Sequence, residues 1–107
     1  MLKRYELPDC PVELSLMLIG DRYKAIIIIE LSSGTKRFSE LKKASNFSQK
    51  VLTEHLRFLE EYDVLTRKVF AEVPPRVEYT LTEHGEKLKP IIEAMYNWGE
   101  EYRAAGC

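Results

Sequence analysis

Residues 46–61 constrain the fold of this chain most, because they have the pattern of a capped helix with one apolar face and one polar face. Leu52, Leu56 and Leu59 follow i, i+4, i+7 spacing, so they share one side of a helix and can be buried together. Ser48 suits the N-cap, where its hydroxyl accepts a hydrogen bond from an early backbone N–H. The pattern predicts a helix that is fixed to a core on one side and presents polar side chains on the other.

The outward face of this predicted helix carries side chains that can recognise DNA. In a major groove, Gln pairs bidentately with adenine, and Lys or Arg pairs with guanine. An ordinary solvated face is the alternative, since charged outer faces are the default for soluble helices. The candidate DNA contacts on this face are Ser48, Gln49, Lys50, Thr53 and Arg57.

The charge of the chain is distributed unevenly. The formal net charge is −1, which by itself argues weakly against nucleic-acid binding. Residues 36–57, however, contain six cations and two anions, a net charge of +4. Lys36 and Arg37, together with Lys42 and Lys43, suit contacts to a DNA backbone rather than to bases. A basic middle segment is what a DNA-facing surface requires.

The segments around the predicted recognition helix complete a helix-turn-helix and a wing. Ser39 suits the cap of a brief helix, so residues 39–61 have the pattern of two short helices joined by a turn. Residues 64–81 contain two β-prone runs on either side of Pro74 and Pro75, which forbid ladder hydrogen bonds. We therefore predict a hairpin with a rigid tip directly after the recognition helix.

Cations of the predicted wing are further candidates for DNA contacts. Arg67, Lys68 and Arg76 can reach phosphates or an adjacent minor groove. For Arg76, the alternative is a salt bridge to Glu72 or Glu78 within the hairpin.

Two helices are predicted in the first third of the chain. Pro11 suits a first helical position, which leaves Cys10 as the N-cap, and Gly20 is expected to end this helix by supplying backbone freedom. Asp21 then caps a second helix that contains four consecutive isoleucines. Isoleucine runs favour strands by propensity, but the cap, the length and the Ser-Ser-Gly stop at residues 32–34 favour a buried helix.

The pattern of residues 82–103 predicts a long C-terminal helix. Thr82 is expected to cap it, and Pro90 is expected to kink or restart it. Its apolar residues recur at three- and four-residue steps and exceed what a small core can cover. The spare surface is expected to bury against a second copy of the chain. The predicted dimer contacts are Leu88, Ile91, Ile92, Met95, Trp98 and Tyr102.

Length and motifs exclude several classes of protein. A chain of 107 residues is expected to form a single domain over residues 1–107, too small for a catalytic cleft with a separate lid. It has no nucleophilic triad, paired carboxylates or phosphate loop, so we expect no enzyme and no cofactor. The longest apolar run has five residues, and no secretory signal is present. We therefore expect a cytoplasmic protein without a membrane partner.

Cys10 and Cys107 are the two cysteines, and no Cys/His spacing indicates a metal site. A thiol at a helix N-terminus lies at the positive end of the helix dipole, which favours the reactive thiolate, although Asp9 beside it acts in the opposite direction. Cys10 is therefore the candidate redox-sensing residue. The alternative is a buried, inert packing residue. Cys107 is expected to lie in a loose tail.

Several sequence motifs occur together in this chain. The most specific are S-Q-K-V-L-T at residues 48–53 and E-V-P-P-R-V-E-Y at residues 72–79, accompanied by I-G-D-R-Y-K at 19–24, R-F-S-E-L at 37–41 and L-T-E-H-G at 81–85. With these motifs, the chain resembles the HxlR-type winged helix-turn-helix transcription regulators of bacteria and archaea over nearly its whole length. Tyr23 stands where the family usually has Trp, and Asp63 stands where Gly is usual. Asp63 is tolerable there because Asx residues adopt the left-handed conformation more readily than most.

The resemblance implies a mainly α fold with a small β-hairpin, a winged helix-turn-helix DNA-binding domain with N- and C-terminal dimerisation helices. It implies a homodimer that binds double-stranded operator DNA through paired recognition helices and wings. Several members of the family sense oxidants, quinones or aldehydes through a cysteine at the place of Cys10, so a small electrophile or oxidant is the candidate effector.

We therefore expect a sequence-specific DNA-binding transcription regulator that acts as a repressor, without an appended effector domain. The alternative is a winged-helix protein–protein interaction module without DNA specificity. Salt dependence separates the two, because operator binding weakens steeply with salt.

Overall fold

The secondary-structure elements follow one another as the sequence patterns predict. The computed structural model describes residues 7–105. Within them, the elements are α1 (Pro11–Ile19), α2 (Arg22–Leu31), β1 (Lys36–Arg37), α3 (Phe38–Ser45), α4 (Gln49–Glu61), β2 (Leu65–Phe70), β3 (Arg76–Leu81) and α5 (Glu83–Ala104). Helices α3 and α4 form the helix-turn-helix, and β2 and β3 form the wing. The mainly helical winged helix-turn-helix fold is confirmed, and the isoleucine run lies in a helix.

Three helices begin at side chains that the sequence marks as caps. Asp21 Oδ1 accepts from the Lys24 N–H at 2.9 Å, Ser48 Oγ from the Val51 N–H at 3.1 Å, and Thr82 Oγ1 from the Gly85 N–H at 3.1 Å. Each side chain satisfies a backbone donor that has no partner within its helix, and loss of such a cap costs about 1 kcal/mol. The start of the recognition helix α4 is therefore fixed by Ser48.

Helix α3 begins earlier than predicted. Its first residue is Phe38, so Ser39 lies in the first turn and the predicted Ser39 cap is wrong. The Arg37 backbone N–H instead donates to Glu40 Oε1 at 2.7 Å. At its other end, α3 stops at Asn46, whose φ of 62° is left-handed, as is the φ of 60° at Asp63 after α4. The predicted left-handed conformation of Asp63 is confirmed.

Gly20 ends α1 for a different reason from the one predicted. Its φ of −79° is right-handed, so the position does not use the conformational freedom of glycine. A Cβ added there would collide with the carbonyl oxygen of Leu16. Gly20 is required because the backbone passes too close to the preceding turn for any side chain.

The wing is part of an antiparallel sheet with the strand order β1-β3-β2. In the hairpin, Leu65 is opposite Leu81 and Phe70 is opposite Arg76. The predicted extended piece at residues 36–37 is β1, and it adds a third strand by pairing Lys36 with Tyr79. The Val73–Pro74 peptide bond in the hairpin tip is cis. Strand β1 thus joins the wing to the start of α3.

The hydrophobic core lies between α2 and the inner face of α4. Leu52, Leu56 and Leu59 are almost completely buried, as the helical spacing predicts. Ile27, Ile28 and Leu31 of α2 belong to the same buried cluster. Burial of each such side chain stabilises the fold by roughly 1.5–3 kcal/mol. The core therefore holds α4 in place and leaves its opposite face in solvent.

Helix α5 runs without interruption from Glu83 to Ala104, with Pro90 inside it. The predicted restart at Pro90 does not occur. Near its start, Gly85 is buried, and a Cβ there would collide with the carbonyl oxygen of Val64. The first turns of α5 thus pack closely on the segment between α4 and the wing.

Candidate nucleic-acid interface

The outer face of α4 presents the residues that the sequence predicts as DNA contacts. Ser48, Gln49, Lys50 and Arg57 are exposed, and Thr53 is half-buried. Among residues 7–105, neither Lys50 nor Arg57 forms an ion pair. The donors of these side chains are therefore available to a ligand.

Basic side chains of β1 and α3 extend this surface. Arg37 is exposed directly before α3, and Lys42 and Lys43 are exposed in its last turn. Lys36 is half-buried, and its Nζ donates to Ser33 Oγ at 3.0 Å. Lys36 therefore has less freedom to reach a ligand than Arg37.

The cations of the wing, by contrast, lie beside carboxylates. Arg76 is 2.9 Å from Glu72 Oε2 through Nη1 and 3.1 Å from Glu78 Oε2 through Nε. Its guanidinium carbon also lies 4.0 Å from the ring centre of Phe70. The salt-bridge alternative for Arg76 is thus what the structure contains, with both carboxylates.

Lys68 and Arg67 point to opposite faces of β2. Lys68 is opposite Glu78 in the hairpin, and its Nζ lies 5.0 Å from the ring centre of Phe70. Arg67 donates through Nε to Glu60 Oε1 of α4 at 3.3 Å. The wing therefore carries positive charge that is partly neutralised from within the protein.

A polar cluster between α2 and α4 includes a histidine of the recognition helix. The His55 ring is half-buried, with its centre 4.8 Å from that of Tyr23, and Nε2 lies 4.0 Å from Asp21 Oδ1. Its Nδ1 lies 2.9 Å from the Val51 carbonyl oxygen, so Nδ1 is the donor. As a polar residue of α4, His55 would be expected at the surface, but contacts with α2 make it half-buried.

The pKa of Asp21 reflects the same cluster. Burial alone would raise this pKa, but the hydrogen bonds and charge of Lys24, with a smaller effect of His55, lower it below its usual value. Lys24 Nζ lies 2.6 Å from Asp21 Oδ2. The carboxylate form of Asp21 is thus favoured where α2 contacts α4.

The predicted dimer contacts divide into two groups. Ile92 is in the core, and Leu88 packs against it, so these two residues contribute mainly to the protomer itself. Their assignment to an interface is revised accordingly. The other four are spaced to share one face of α5 and are 42–65% exposed, namely Ile91, Met95, Trp98 and Tyr102. Trp98 and Tyr102 stack with ring centres 4.9 Å apart.

Helix α1 also exposes apolar side chains, Val12 and Leu16, at 65% and 57%. Cys10 precedes this helix at the N-cap and is exposed, and its side chain makes no capping hydrogen bond. Within a single chain, Cys10 is therefore exposed and not buried. Cys107 lies outside the described residues.

Residues 7–105 contain neither a metal-binding cluster nor a membrane-spanning helix. No group of three or more His, Cys, Asp or Glu side chains could hold a metal ion there. None of the helices in this range is long and apolar enough to cross a membrane.

Comparison with known proteins identifies the family. A family model described as HxlR-like helix-turn-helix matches residues 18–106. The chain belongs to this family. It is 46% identical over 95 residues to the helix-turn-helix transcriptional regulator YdeP of Bacillus subtilis (strain 168), covering 88% of this chain and 74% of YdeP.

Solved structures agree with this assignment. The redox regulator HypR in its oxidised form is similar with a TM-score of 0.78 and 43% identity, covering 86% of this chain and 96% of HypR. The reduced transcriptional regulator YodB from B. subtilis is similar with a TM-score of 0.79 and 36% identity, covering 94% of this chain and all 100% of YodB. This HxlR-like protein is a DNA-binding transcription regulator, not an enzyme.

Proposed function

We propose that two copies of this HxlR-like chain bind one operator duplex through paired α4 helices, and that this binding is sequence-specific. The observation that supports it most is the outer face of α4, where Gln49, Lys50 and Arg57 are exposed and Lys50 and Arg57 are unpaired among residues 7–105. A major groove admits such a helix, and its N-terminal residues then meet base edges.

The contacts divide by chemistry. Gln49 and Lys50 in the first turn of α4 read bases, because Gln matches adenine and Lys matches guanine. Ser48 and Thr53 supply hydroxyl donors along the same face. Arg37 and, with less freedom, Lys36 bind phosphates beside the groove. Arg76 contributes to DNA binding only as far as Glu72 and Glu78 release it. Lys68 adds positive charge on the same face of the hairpin, beside the ring of Phe70.

Dimerisation is proposed through the apolar face of α5 together with α1. Ile91, Met95, Trp98 and Tyr102 form an exposed stripe, which soluble proteins rarely leave uncovered. A homodimer with two-fold symmetry places the same patch on both copies. Our proposal requires this dimer to hold both α4 helices where one duplex can reach them.

The dimer can be tested with two variants of α5. We expect Met95→Glu to produce a monomer in sedimentation velocity and to abolish cooperative binding of two half-sites. Asn97→Glu adds the same charge at an exposed position outside the stripe and should leave the dimer intact. A Met95→Glu variant that remains dimeric would contradict this interface.

Sequence specificity can be tested by selecting genomic fragments with the wild-type protein. We expect one preferred sequence with two related half-sites and an affinity that falls steeply with salt, with a slope of about 0.9 per phosphate contact. Recovery of no preferred sequence would favour the protein–protein interaction module.

We propose repression as the sign of regulation, because a bound dimer covers DNA that RNA polymerase would otherwise use. Such binding takes place in the cytoplasm, with the chromosome. In vitro transcription from a promoter that contains the selected operator should decrease when the protein is added. An increase would identify the protein as an activator instead.

We also propose that Cys10 couples DNA binding to oxidants or electrophiles. Its thiol is exposed at the N-terminus of α1, next to the proposed interface, and the chain is similar to the redox regulator HypR. A quinone would form a carbon–sulfur bond with Cys10, and the thiol proton would pass to the quinone ring. The resulting bulky group would disturb the packing of α1 on the partner.

This proposal is tested by measuring operator affinity before and after addition of benzoquinone or diamide. We expect wild-type affinity to change, the change to be absent in Cys10→Ser, and the change to persist in Cys107→Ser. Unchanged wild-type affinity would reject a sensing role for Cys10 and leave DNA binding unaffected.

A further inference from the structure

A small cleft lies between the recognition helix and the wing. It has a volume of about 190 Å³, and its polar lining consists of Thr53, Arg57, Glu60, Arg67 and Tyr79. Thr53, Arg57 and Glu60 lie on successive turns of α4, whereas Arg67 and Tyr79 are directly opposite each other on β2 and β3. We call this cleft the α4–wing notch.

The charges around the notch favour an anion. Arg57 and Arg67 contribute two positive charges and Glu60 one negative charge, so the side chains of the notch have a net charge of +1. Arg67 uses Nε to donate to Glu60 Oε1 at 3.3 Å, which leaves its two terminal nitrogens for another acceptor. Arg57 forms no ion pair among residues 7–105. The notch is therefore an electropositive site held in shape by one ion pair.

Tyr79 adds a hydroxyl to the same place. Its ring is buried, with 6% of the residue exposed. Burial raises the pKa of Tyr79, Arg67 and Arg57 act to lower it, Glu60 acts to raise it, and the result is a pKa above the usual value. The phenol therefore keeps its proton at neutral pH and can act as a donor, and both guanidinium groups are within electrostatic reach of it.

We propose that the α4–wing notch binds one phosphodiester group of the DNA backbone in each half-site. The donors are the guanidinium groups of Arg57 and Arg67 and the hydroxyl groups of Thr53 and Tyr79. A phosphodiester carries a single negative charge, which matches the net charge of the notch. Fork-shaped guanidinium donors suit phosphate oxygens better than an ammonium group does.

The position of the notch on α4 agrees with this ligand. Arg57 is eight residues beyond Gln49, which corresponds to about 12 Å along a helix axis at a rise of 1.5 Å per residue. The major groove of B-DNA is also about 12 Å wide. A helix that crosses the groove with its first turn at the base edges therefore extends far enough for Arg57 to meet the sugar-phosphate strand that borders the groove. This inference rests on the proposed operator binding.

The test compares two arginines with the same change of charge. Arg67 lines the notch, whereas Arg103 is exposed in the last turn of α5, outside the proposed DNA-binding surface and the dimer stripe. We expect Arg67→Gln to weaken operator binding about tenfold and to reduce the salt slope by about one per half-site. Arg103→Gln should weaken binding no more than twofold. Tyr79→Phe, which keeps the buried ring, should weaken binding several-fold, and circular dichroism should confirm that each variant is folded.

Ethylation interference identifies the phosphate directly. With wild-type protein, ethylation of one phosphate at the edge of each half-site should block binding, and with Arg67→Gln this sensitivity should disappear. The notch proposal is overturned if Arg67→Gln and Arg103→Gln have equal effects, or if the ethylation pattern is the same for Arg67→Gln and wild type. Failure of the wild-type protein to bind any duplex would overturn operator binding as well, so the two failures are distinguishable.

Discussion

The recognition helix and the wing both carry cations, but they differ in what surrounds those charges. On α4, Lys50 and Arg57 have no ion-pair partner within residues 7–105. In the wing, Arg76 lies between two carboxylates, whereas Arg67 uses only Nε to contact Glu60 and keeps its terminal nitrogens for another acceptor. A count of positive residues makes the two regions look equivalent. Only the structure distinguishes charge that is available to DNA from charge that stabilises the protein.

The arrangement of Arg76 has a structural purpose in a hairpin tip that contains two prolines. Pro74 and Pro75 cannot donate ladder hydrogen bonds, so the tip needs other interactions. Arg76 supplies them by contacting Glu72 before the prolines, Glu78 after them and the ring of Phe70. The wing is therefore shaped by the residue that the sequence offers as a DNA contact.

The largest expected effect is on α4. Lys50→Ala should weaken operator binding by about 10- to 100-fold, because a side chain that pairs well with a base contributes roughly 1–3 kcal/mol of discrimination. Fluorescence anisotropy with the selected operator and a scrambled duplex measures both affinities. A loss below about twofold would mean that α4 is not the reading surface.

Arg76→Ala should have a smaller effect of a different kind. We expect a loss of about fivefold in affinity with an unchanged salt slope, since the change acts on the order of the wing rather than on a phosphate contact. Arg76→Lys should not restore binding, because Lys keeps the charge but loses the fork that spans both carboxylates. A salt slope reduced by about one would instead identify Arg76 as a direct phosphate contact.

Removing a carboxylate should leave the cations of the wing more available to DNA, as those of α4 are. Glu78→Gln leaves a side chain of similar size but removes the negative charge that contacts Arg76 and lies opposite Lys68. Affinity for any duplex should therefore rise about two- to threefold at low salt. Measurement against the scrambled duplex at two salt concentrations checks this. Unchanged affinity would mean that the wing does not approach DNA.

The smallest expected effect concerns the support of α4 by α2. Asp21→Ala should lower the free energy of unfolding by about 1 kcal/mol through loss of the cap, whereas Asp21→Asn keeps an acceptor and should cost less. The pKa of Asp21 is lowered in the folded protein, so its negative charge adds to the free energy of unfolding. This contribution is complete above the pKa of the unfolded state, near 4, and is lost as the pH falls through the lower pKa of the folded state. Urea unfolding of wild type and Asp21→Asn should therefore converge in acid, and a constant difference between pH 7 and pH 3 would contradict this.

Much of the fold is predictable from local sequence, for reasons that the capped helices illustrate. Ser48 and Asp21 act on backbone groups three residues away, and the leucines of α4 need only helical spacing to define a buried side. These interactions depend on residues that are close in sequence, so the sequence pattern is enough to predict them.

The remaining features depend on partners that are distant in sequence. Strand β1 has only two residues and is defined by pairing with β3 about forty positions later. Leu88 and Ile92 fit the apolar pattern of α5 as well as Met95 does, but contacts with the rest of the core decide which of them face solvent. The notch likewise combines residues of α4, β2 and β3. From the sequence alone, Tyr79 can be predicted only to lie in a strand.

The central claim is that a dimer places two α4 helices on one duplex. The most direct test is a hydroxyl-radical footprint of the selected operator, combined with the mass of the complex from sedimentation. We expect two chains per duplex and two protected segments related by two-fold symmetry, with centres separated by about 10–10.5 base pairs or a multiple of that spacing. One chain per duplex at saturation, or a single protected segment without symmetry, would contradict the account.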